Sequence, residues 1–370
     1  MEPALFDTEC YPNYWMLGIR QNGRTFRFKK YEDESRGNFD AKLIEKIFKL
    51  FTVVSFNGNG YDIAMITGAL SGYSVSKLKQ LSDRIIVDEV KPWQLGLPDW
   101  KPKDHIDLME VAPGQAGLKM YAARIHSKKI QDLPYDPNLP LIEEQIEEVD
   151  KYNDVDLDDL SDLYKELQPQ IKQRVYLSKR YNVDLRSKSD AQLAETVLKL
   201  RCERATGRKI IKQVFPRDFS FKYEKPDFVK FITPELNAVL DKVMGCTFTL
   251  NDKGAVAMPP ELDDLKISIG TSTYTFGIGG LHSNEKCVAN YATDDEKLID
   301  ADVASYYPNL ILNSKKYPPA LGENFAFEYK GIVDERLTAK REAAKIRDRL
   351  VVLEREILEI EAEEKLSQKK

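Results

Sequence analysis

Residues 40–62 read DAKLIEKIFKLFTVVSFNGNGYD. DAKLIEKIFKLF (40–51) carries apolar side chains at helical spacing, with Asp40 placed to cap the helix. TVVSFN (52–57) is β-branched and apolar, the pattern of a buried strand. GNGYD then turns the chain on glycines into a second helix. Working outward, PALFD (3–7), YWMLGIR (14–20) and Thr25–Lys29 predict three short strands. Strands, helix, strand, helix is the rhythm of a mixed sheet with helices on its faces, so this part of the chain reads as α/β. Downstream, three prolines in QDLPYDPNLP (131–140) mark a loop, 142–166 is an acidic helical segment, and 168–200 continues as helix with a break near Tyr181–Lys188.

The remainder has a different texture. Lys199–Lys212 holds six basic residues and one acidic one, which suits either a phosphate track or a solvated linker. LKISIGTSTYTFGIGGL (265–281) alternates and predicts a hairpin, and LIDADVASYYPNLIL (298–312) reads as another strand. From Val333 onward there is no Gly or Pro, and ten acidic residues balance ten basic ones. Ala339, Ala343, Ile346, Leu350, Leu353, Ile357 and Ile360 follow a heptad seam, which needs a partner helix to leave water.

Composition removes several classes. With 42% hydrophobic and 31% charged residues in 370, the chain has material for two or three cores and is not a disordered protein. A net charge of −5 argues against a globally basic DNA-coating protein, though not against a nucleic-acid enzyme with an acidic metal site. No run approaches the ~18 apolar residues of a membrane span. MEPALFDTEC lacks a basic region followed by an apolar core, so no signal peptide is expected. Four scattered cysteines without CxxC disfavour a disulfide scaffold and a structural zinc site, and point to a reducing, cytosolic setting. Three histidines without HExxH disfavour a zinc hydrolase.

Three short patterns carry chemistry. Asp7 and Glu9 form D-x-E at the end of the first strand, where alternation puts both carboxylates on one face. Asp62 closes FNGNGYD behind Asn57 and Tyr61, either as a site carboxylate or as a cap for the next helix. Tyr152 and Asp156 in KYNDVDLDDL share a helix face at i, i+4, while Asp154, Asp158 and Asp159 point elsewhere and read as solvated. In this order the set resembles the three motifs of the DEDD (DnaQ-like) 3'-5' exonucleases, in the tyrosine subclass found in proofreading domains of family B DNA polymerases. HIDLMEVAPGQAGLKMYA (105–122) looks like the linker between that family's second and third motifs.

The resemblance covers about residues 1–200 and implies an RNase H-like exonuclease domain over 1–205. It further implies two Mg²⁺ or Mn²⁺ ions, which suit carboxylate oxygens and serve phosphodiester hydrolysis. Asp7 would bridge both ions, Glu9 and Asp156 would hold the one carrying the attacking water, and Asp62 would serve the other. Tyr152 would orient the water, and Asn57 and Tyr61 would position the terminal nucleotide, with Tyr61 the stacking candidate. His105 and Asp107 match no catalytic motif and read as structural.

DVASYYP (302–308) resembles motif A of family B polymerases. This implies a partial α+β palm over 206–330, with Asp302 and the Val303 carbonyl on metal. Ser305 and Tyr306 would contact the triphosphate, and Tyr307 would be the steric gate. GIGGLHS (277–283) is similar to the Y-x-G-G motif of protein-primed members: Gly279 and Gly280 match, and Gly277 replaces the tyrosine. Motifs B and C do not follow, so the chain alone is not expected to polymerise. Residues 331–370 would then be the first fingers helix, with Arg336, Lys340, Arg341 and Lys345 facing nucleotide phosphates or simply solvent.

The expected protein is the N-terminal, proofreading part of a split, phage-like polymerase in the host cytoplasm. Its partners would be DNA and a second chain supplying motifs B and C, and no membrane. The alternatives are a stand-alone single-strand exonuclease with a vestigial palm, or a non-catalytic DNA-binding or scaffold subunit.

Overall fold

An eight-residue strand, β1 (Ala4–Tyr11), is buried on both faces, which requires a packed layer on each side. It is the central strand of a mixed five-stranded sheet in the order β3-β2-β1-β4-β5. The others are β2 (Tyr14–Gln21), β3 (Arg24–Tyr31), β4 (Val53–Ser55) and β5 (His105–Asp107). β1, β2 and β3 form an antiparallel meander, and β4 and β5 add parallel to β1. The β2–β3 turn is Asn22–Gly23, with φ of 51° and 72°; two positive φ values in a row are what a twisted two-residue hairpin demands.

The computed structural model describes residues 2–367 except Gln115, Lys212, Gln213, Arg217, Lys253, Thr271, Glu285 and Lys286, with backbone only over 361–367. The chain divides into two units, 1–200 and 201–370. In the first, α1 (Ala41–Leu50), α2 (Asp62–Leu70) and α3 (Val75–Ile86) cover one face of the sheet. The other face carries α4 (Leu108–Val111), α5 (Leu118–Arg124), α6 (Glu143–Glu166) and α7 (Gln168–Tyr181). Alternation along β1 feeds both cores. Phe6 and Cys10 pack with Ile44, Phe48, Met65 and Leu78, while Leu5 packs with Tyr121, Leu157 and Leu160. Asp40 caps α1 by accepting from the Leu43 amide at 3.0 Å.

One long-range detail positions the site. β4 pairs with β1 only at Ala4 and Leu5, so β1 runs on past the end of its parallel neighbour. Chain leaving the carboxyl end of β4 must turn away there, and a crevice opens beside residues 7–9, as α/β sheets characteristically provide.

The second unit begins within α8 (Asp190–Thr206), followed by β6 (Ser220–Lys222), α9 (Pro234–Gly245), β7 (Thr247–Thr249) and α10 (Pro260–Asp263). A meander of β8 (Lys266–Ile269), β9 (Ser272–Gly277) and β10 (Gly280–Ser283) comes next, one strand more than the expected hairpin. Residues 298–312 are not a strand. They are irregular up to Ser305, whose φ of 51° breaks extended backbone, and Tyr306–Ser314 is helix α11. Apolar residues alone do not make a strand; a neighbour must take up its amides, and none pairs here among the described residues.

The last helix, α12 (Glu323–Ser367), starts ten residues before Val333. Its seam residues Ile346, Leu350, Leu353, Ile357 and Ile360 are exposed. In the basic stretch, Arg201 is engaged by Glu328 at 2.9 Å and Glu335 at 3.1 Å, and Lys212 lies outside the described residues. All four cysteines are free, and no helix among the described residues is long and apolar enough to cross a membrane.

Candidate active site

Asp7 and Glu9 sit in the middle of β1, since the strand continues to Tyr11 rather than ending at residue 7. Asp7 pairs with Gly18 across β2, and residues so paired share a face. With no side chain at Gly18, α6 can lie directly over the sheet: a Cβ there would fall 2.0 Å from Asn153 Oδ1. Asn153 is fully buried, and its Nδ2 donates to Asp7 Oδ2 at 2.8 Å. This seating brings the next turn of α6 onto the same spot. One carboxylate oxygen from each of Asp7, Glu9 and Asp156 lies within 4.8 Å of the others.

Asp62 reaches the crevice from the opposite layer. It is the first residue of α2, where the helix N-terminus favours negative charge, and not the cap, a position held by Tyr61. Its Oδ1 accepts from the Thr8 amide at 3.1 Å and the Thr8 hydroxyl at 2.5 Å. Asp107, at the end of β5, braces the intervening loop by accepting from the amides of Asn57 at 2.8 Å and Asn59 at 2.9 Å. That brace accommodates the left-handed φ of 62° at Asn57, tolerable for asparagine and rare for most residues. Asp7, Glu9, Asn57, Tyr61, Asp62, Tyr152 and Asp156 all line one cleft of about 670 Å³.

Burial, then repulsion from Glu9, Asp62 and Asp156, holds the Asp7 carboxyl well above its usual range. Glu9 is raised by burial and then by Asp156, against a hydrogen bond from Asn153. Burial lifts Asp62 to about 7 despite its bonds from Thr8. Burial also raises Asp156, opposed by the Tyr152 phenol and the Lys119 ammonium. Tyr152 itself is pushed up by burial and by the Asp156 charge, so it stays a neutral phenol, a donor and not a base.

No family model, curated protein or solved structure matches this chain. The chemistry of the cleft must therefore come from its own residues. The donor set fits a hard divalent cation: three carboxylates converge, all acceptors, and Asp156 Oδ1 is buried with no hydrogen-bond partner among the described residues. Desolvated like charges at this spacing are unfavourable unless protons or a cation neutralise them.

Two readings of α6 and the 57–61 loop change. Asp158 is exposed, as expected, but Asp154 is half-buried and Asp159 is not solvated at all. Asp154 pairs with Arg20 at 2.8 Å and Arg27 at 2.6 Å, Asp158 also pairs with Arg20, and Asp159 is buried and lifted to about 6 by that burial. Tyr61 is not a free platform, because its ring packs against the first core and its hydroxyl bonds Ser82 at 2.9 Å. The motifs do not mark Thr8, Gly18, Asp107 and Asn153 as members of the site. For Asn153 a signal existed, since helical spacing puts it beside Tyr152 and Asp156.

In the second unit, Asp302 and Val303 are exposed on irregular chain and join no carboxylate cluster among the described residues. Tyr306 and Tyr307 are exposed, with ring centroids 5.4 Å apart, next to the partly buried Ser305. Gly279 lies in the two-residue β9–β10 turn with Ile278, and Gly280 opens β10; both line an apolar cavity of about 510 Å³.

A stability test follows from the carboxyl shifts. Raised folded-state values mean that the native cluster binds more protons than the unfolded chain, whose carboxyls titrate near ~4. That contribution is complete below the unfolded value and is lost as pH rises through the folded values, about 7 for Asp62. His105, lowered to about 4 by burial, works in the opposite sense at pH below its unfolded value of ~6.5. In EDTA the melting temperature should therefore fall between pH 6.5 and 8, and Mn²⁺ should raise it most at pH 8. Thermal melts with and without Mn²⁺ check this; a pH-independent Mn²⁺ effect would contradict cation binding at these carboxylates.

Proposed function

We propose that residues 1–200 are a divalent-metal-dependent 3'-5' exonuclease acting on single-stranded DNA ends, within an RNase H-like sheet. The observation that carries the reading is the convergence of Asp7, Glu9 and Asp156 within 4.8 Å, on the middle of a central strand and one face of a helix. The five-stranded mixed sheet is compatible with that fold. Asp7, Glu9 and Asp156 would hold one Mg²⁺ or Mn²⁺, and Asp62 would serve a second. Such ions supply phosphate neutralisation, water acidification and leaving-oxygen stabilisation.

The chain's own residues do the rest. Tyr152, a neutral phenol whose hydroxyl donates to Asp156, orients the attacking water by accepting from it on its oxygen. Asn153 fixes the Asp7 carboxylate, and Thr8 fixes Asp62. Asp107 holds the loop that presents the Asn57 side chain to the terminal nucleotide. Water adds to the last phosphorus, the bond to the preceding 3' oxygen breaks, and a nucleoside 5'-monophosphate departs.

We propose for residues 201–370, on the DVASYYP resemblance, the opening part of a polymerase palm and fingers, without the motifs B and C that polymerisation needs. The exposed apolar row of α12 supports it. Purified alone with Mg²⁺ and all four dNTPs, the protein should shorten a 5'-labelled primer on its template and never extend it. Extension would overturn the partial palm, and an unchanged primer would overturn the exonuclease.

A further inference from the structure

The carboxylate cleft does not close beyond Asp62. Its rim includes Pro92 and Trp93, and on the other side of that rim lies a second groove of about 680 Å³ that shares Asn59, Pro92 and Trp93 with the first. Trp93 thus stands on the saddle between them, 80% exposed. The chain's other two tryptophans are spent on packing: Trp15 is fully buried, and Trp100 lies against Phe48 with ring centroids 5.4 Å apart. The backbone that carries Trp93 is also braced. It sits in a single 3-10 turn whose ends are tied by Gln94, which donates its amide to the Lys91 carbonyl at 2.8 Å and accepts the Lys91 amide on its side-chain oxygen at 3.0 Å. A solvent-facing indole on a braced turn, beside the cleft proposed to cleave phosphodiesters, is a surface on which a base stacks.

The second groove has the matching charge. Among its walls, Asp99 is matched by Lys101 at 2.8 Å, and Asp184, at 2.7 Å, shares Arg186 with Asp104. Lys103 and Lys188, both exposed, outnumber the one carboxylate left over and make the groove positive. The ring expected to stack, Tyr61, is committed to the core and to Ser82.

We propose that Trp93 stacks a base of the single strand upstream of its 3'-terminal nucleotide, and that the groove beyond it carries the following phosphates past Lys103 and Lys188. This rests on the exonuclease reading of the cleft and adds to it a strand-binding subsite.

The test compares two probes in Mn²⁺: the 4-nitrophenyl ester of thymidine 5'-monophosphate, which fills only the terminal position, and 5'-labelled oligo(dT) of increasing length. Trp93→Ala should lower the ratio of oligonucleotide to ester kcat/KM by about ten-fold, chiefly through the oligonucleotide KM, and Trp93→Tyr should restore most of it. Lys103→Gln with Lys188→Gln should flatten the dependence of log KM on log salt by about 0.7 for each phosphate that the two lysines neutralise in the wild type. An unchanged ratio in Trp93→Ala, with wild type cleaving both probes, overturns the subsite and leaves the exonuclease standing. An equal loss on both probes moves the ring to the terminal nucleotide and overturns the upstream placement. Wild type cleaving neither probe overturns both readings. Trp93 is so exposed that its variants should melt as wild type does, which a thermal scan verifies.

Discussion

Asp7→Asn should cut 3'-end hydrolysis by on the order of 10³-fold or more, while making the metal-free protein more stable at pH 8. The two effects share a cause. Asp7 is buried among Glu9, Asp62 and Asp156, and each of those charges disfavours its own. Asparagine keeps the shape and can still accept the Asn153 amide, but it removes one charge from the cluster. A cation held by the cluster would then lose a ligand, and several kcal/mol of the proposed transition-state stabilisation would go with it. The protein without the cation is relieved of repulsion, and its melting temperature should rise by about 2–4 °C for each kcal/mol relieved. Melts in EDTA at pH 8 and cleavage of labelled single strands in Mn²⁺ measure the pair. A variant that is less stable and fully active would show that Asp7 serves packing and not chemistry.

Gly18→Ala should be nearly as damaging, although glycine 18 has ordinary backbone angles and no side chain to contribute. The added methyl would fall 2.0 Å from Asn153 Oδ1, in a place where Asn153 is fully buried and cannot swing into solvent. Either α6 lifts from the sheet or Asn153 abandons Asp7. Overpacking of this kind costs about 1–3 kcal/mol, and lifting α6 also withdraws Tyr152 and Asp156 from Asp7 and Glu9. We expect at least ~100-fold lower activity, since displacements of about 1 Å at reacting groups cost that much. Asn153→Ala in the Gly18→Ala background gives the methyl its room. The double variant should regain stability beyond the additive expectation, because the two residues are in contact. Activity should stay low, because the Asp7 carboxylate is no longer held. Strict additivity of the two stability changes would show that α6 does not rest on Gly18.

These variants mark where the sequence stops being readable. Asp7, Glu9, Tyr152 and Asp156 announce themselves by spacings of two and four, the local repeats of strand and helix. Asp62 follows from a glycine turn after an apolar strand. Gly18, Thr8 and Asp107 have no such mark. Their roles depend on the pairing of Asp7 with Gly18, on β4 ending at Ser55, and on β5 lying alongside it. The same holds for errors. Residues 298–304 have strand composition but pair with no strand among the described residues, and Tyr61 lines the cleft while its ring packs partly on the first core.

Spacing along the chain is therefore enough to order β1 to β4 with α1, α2 and the long helices after residue 142, and to say which carboxylates share a face, whereas β5 and α3 to α5 carry no such mark. Periodicity is a property of a few consecutive residues, and burial selects it directly. The folded chain was needed to show that the two faces meet, that Asn153 locks Asp7, and that Trp93 rather than Tyr61 stands open at the rim. Those outcomes rest on register and on the point where one strand outruns its neighbour, which are set by contacts between residues as far apart in the chain as Asp7 and Asn153.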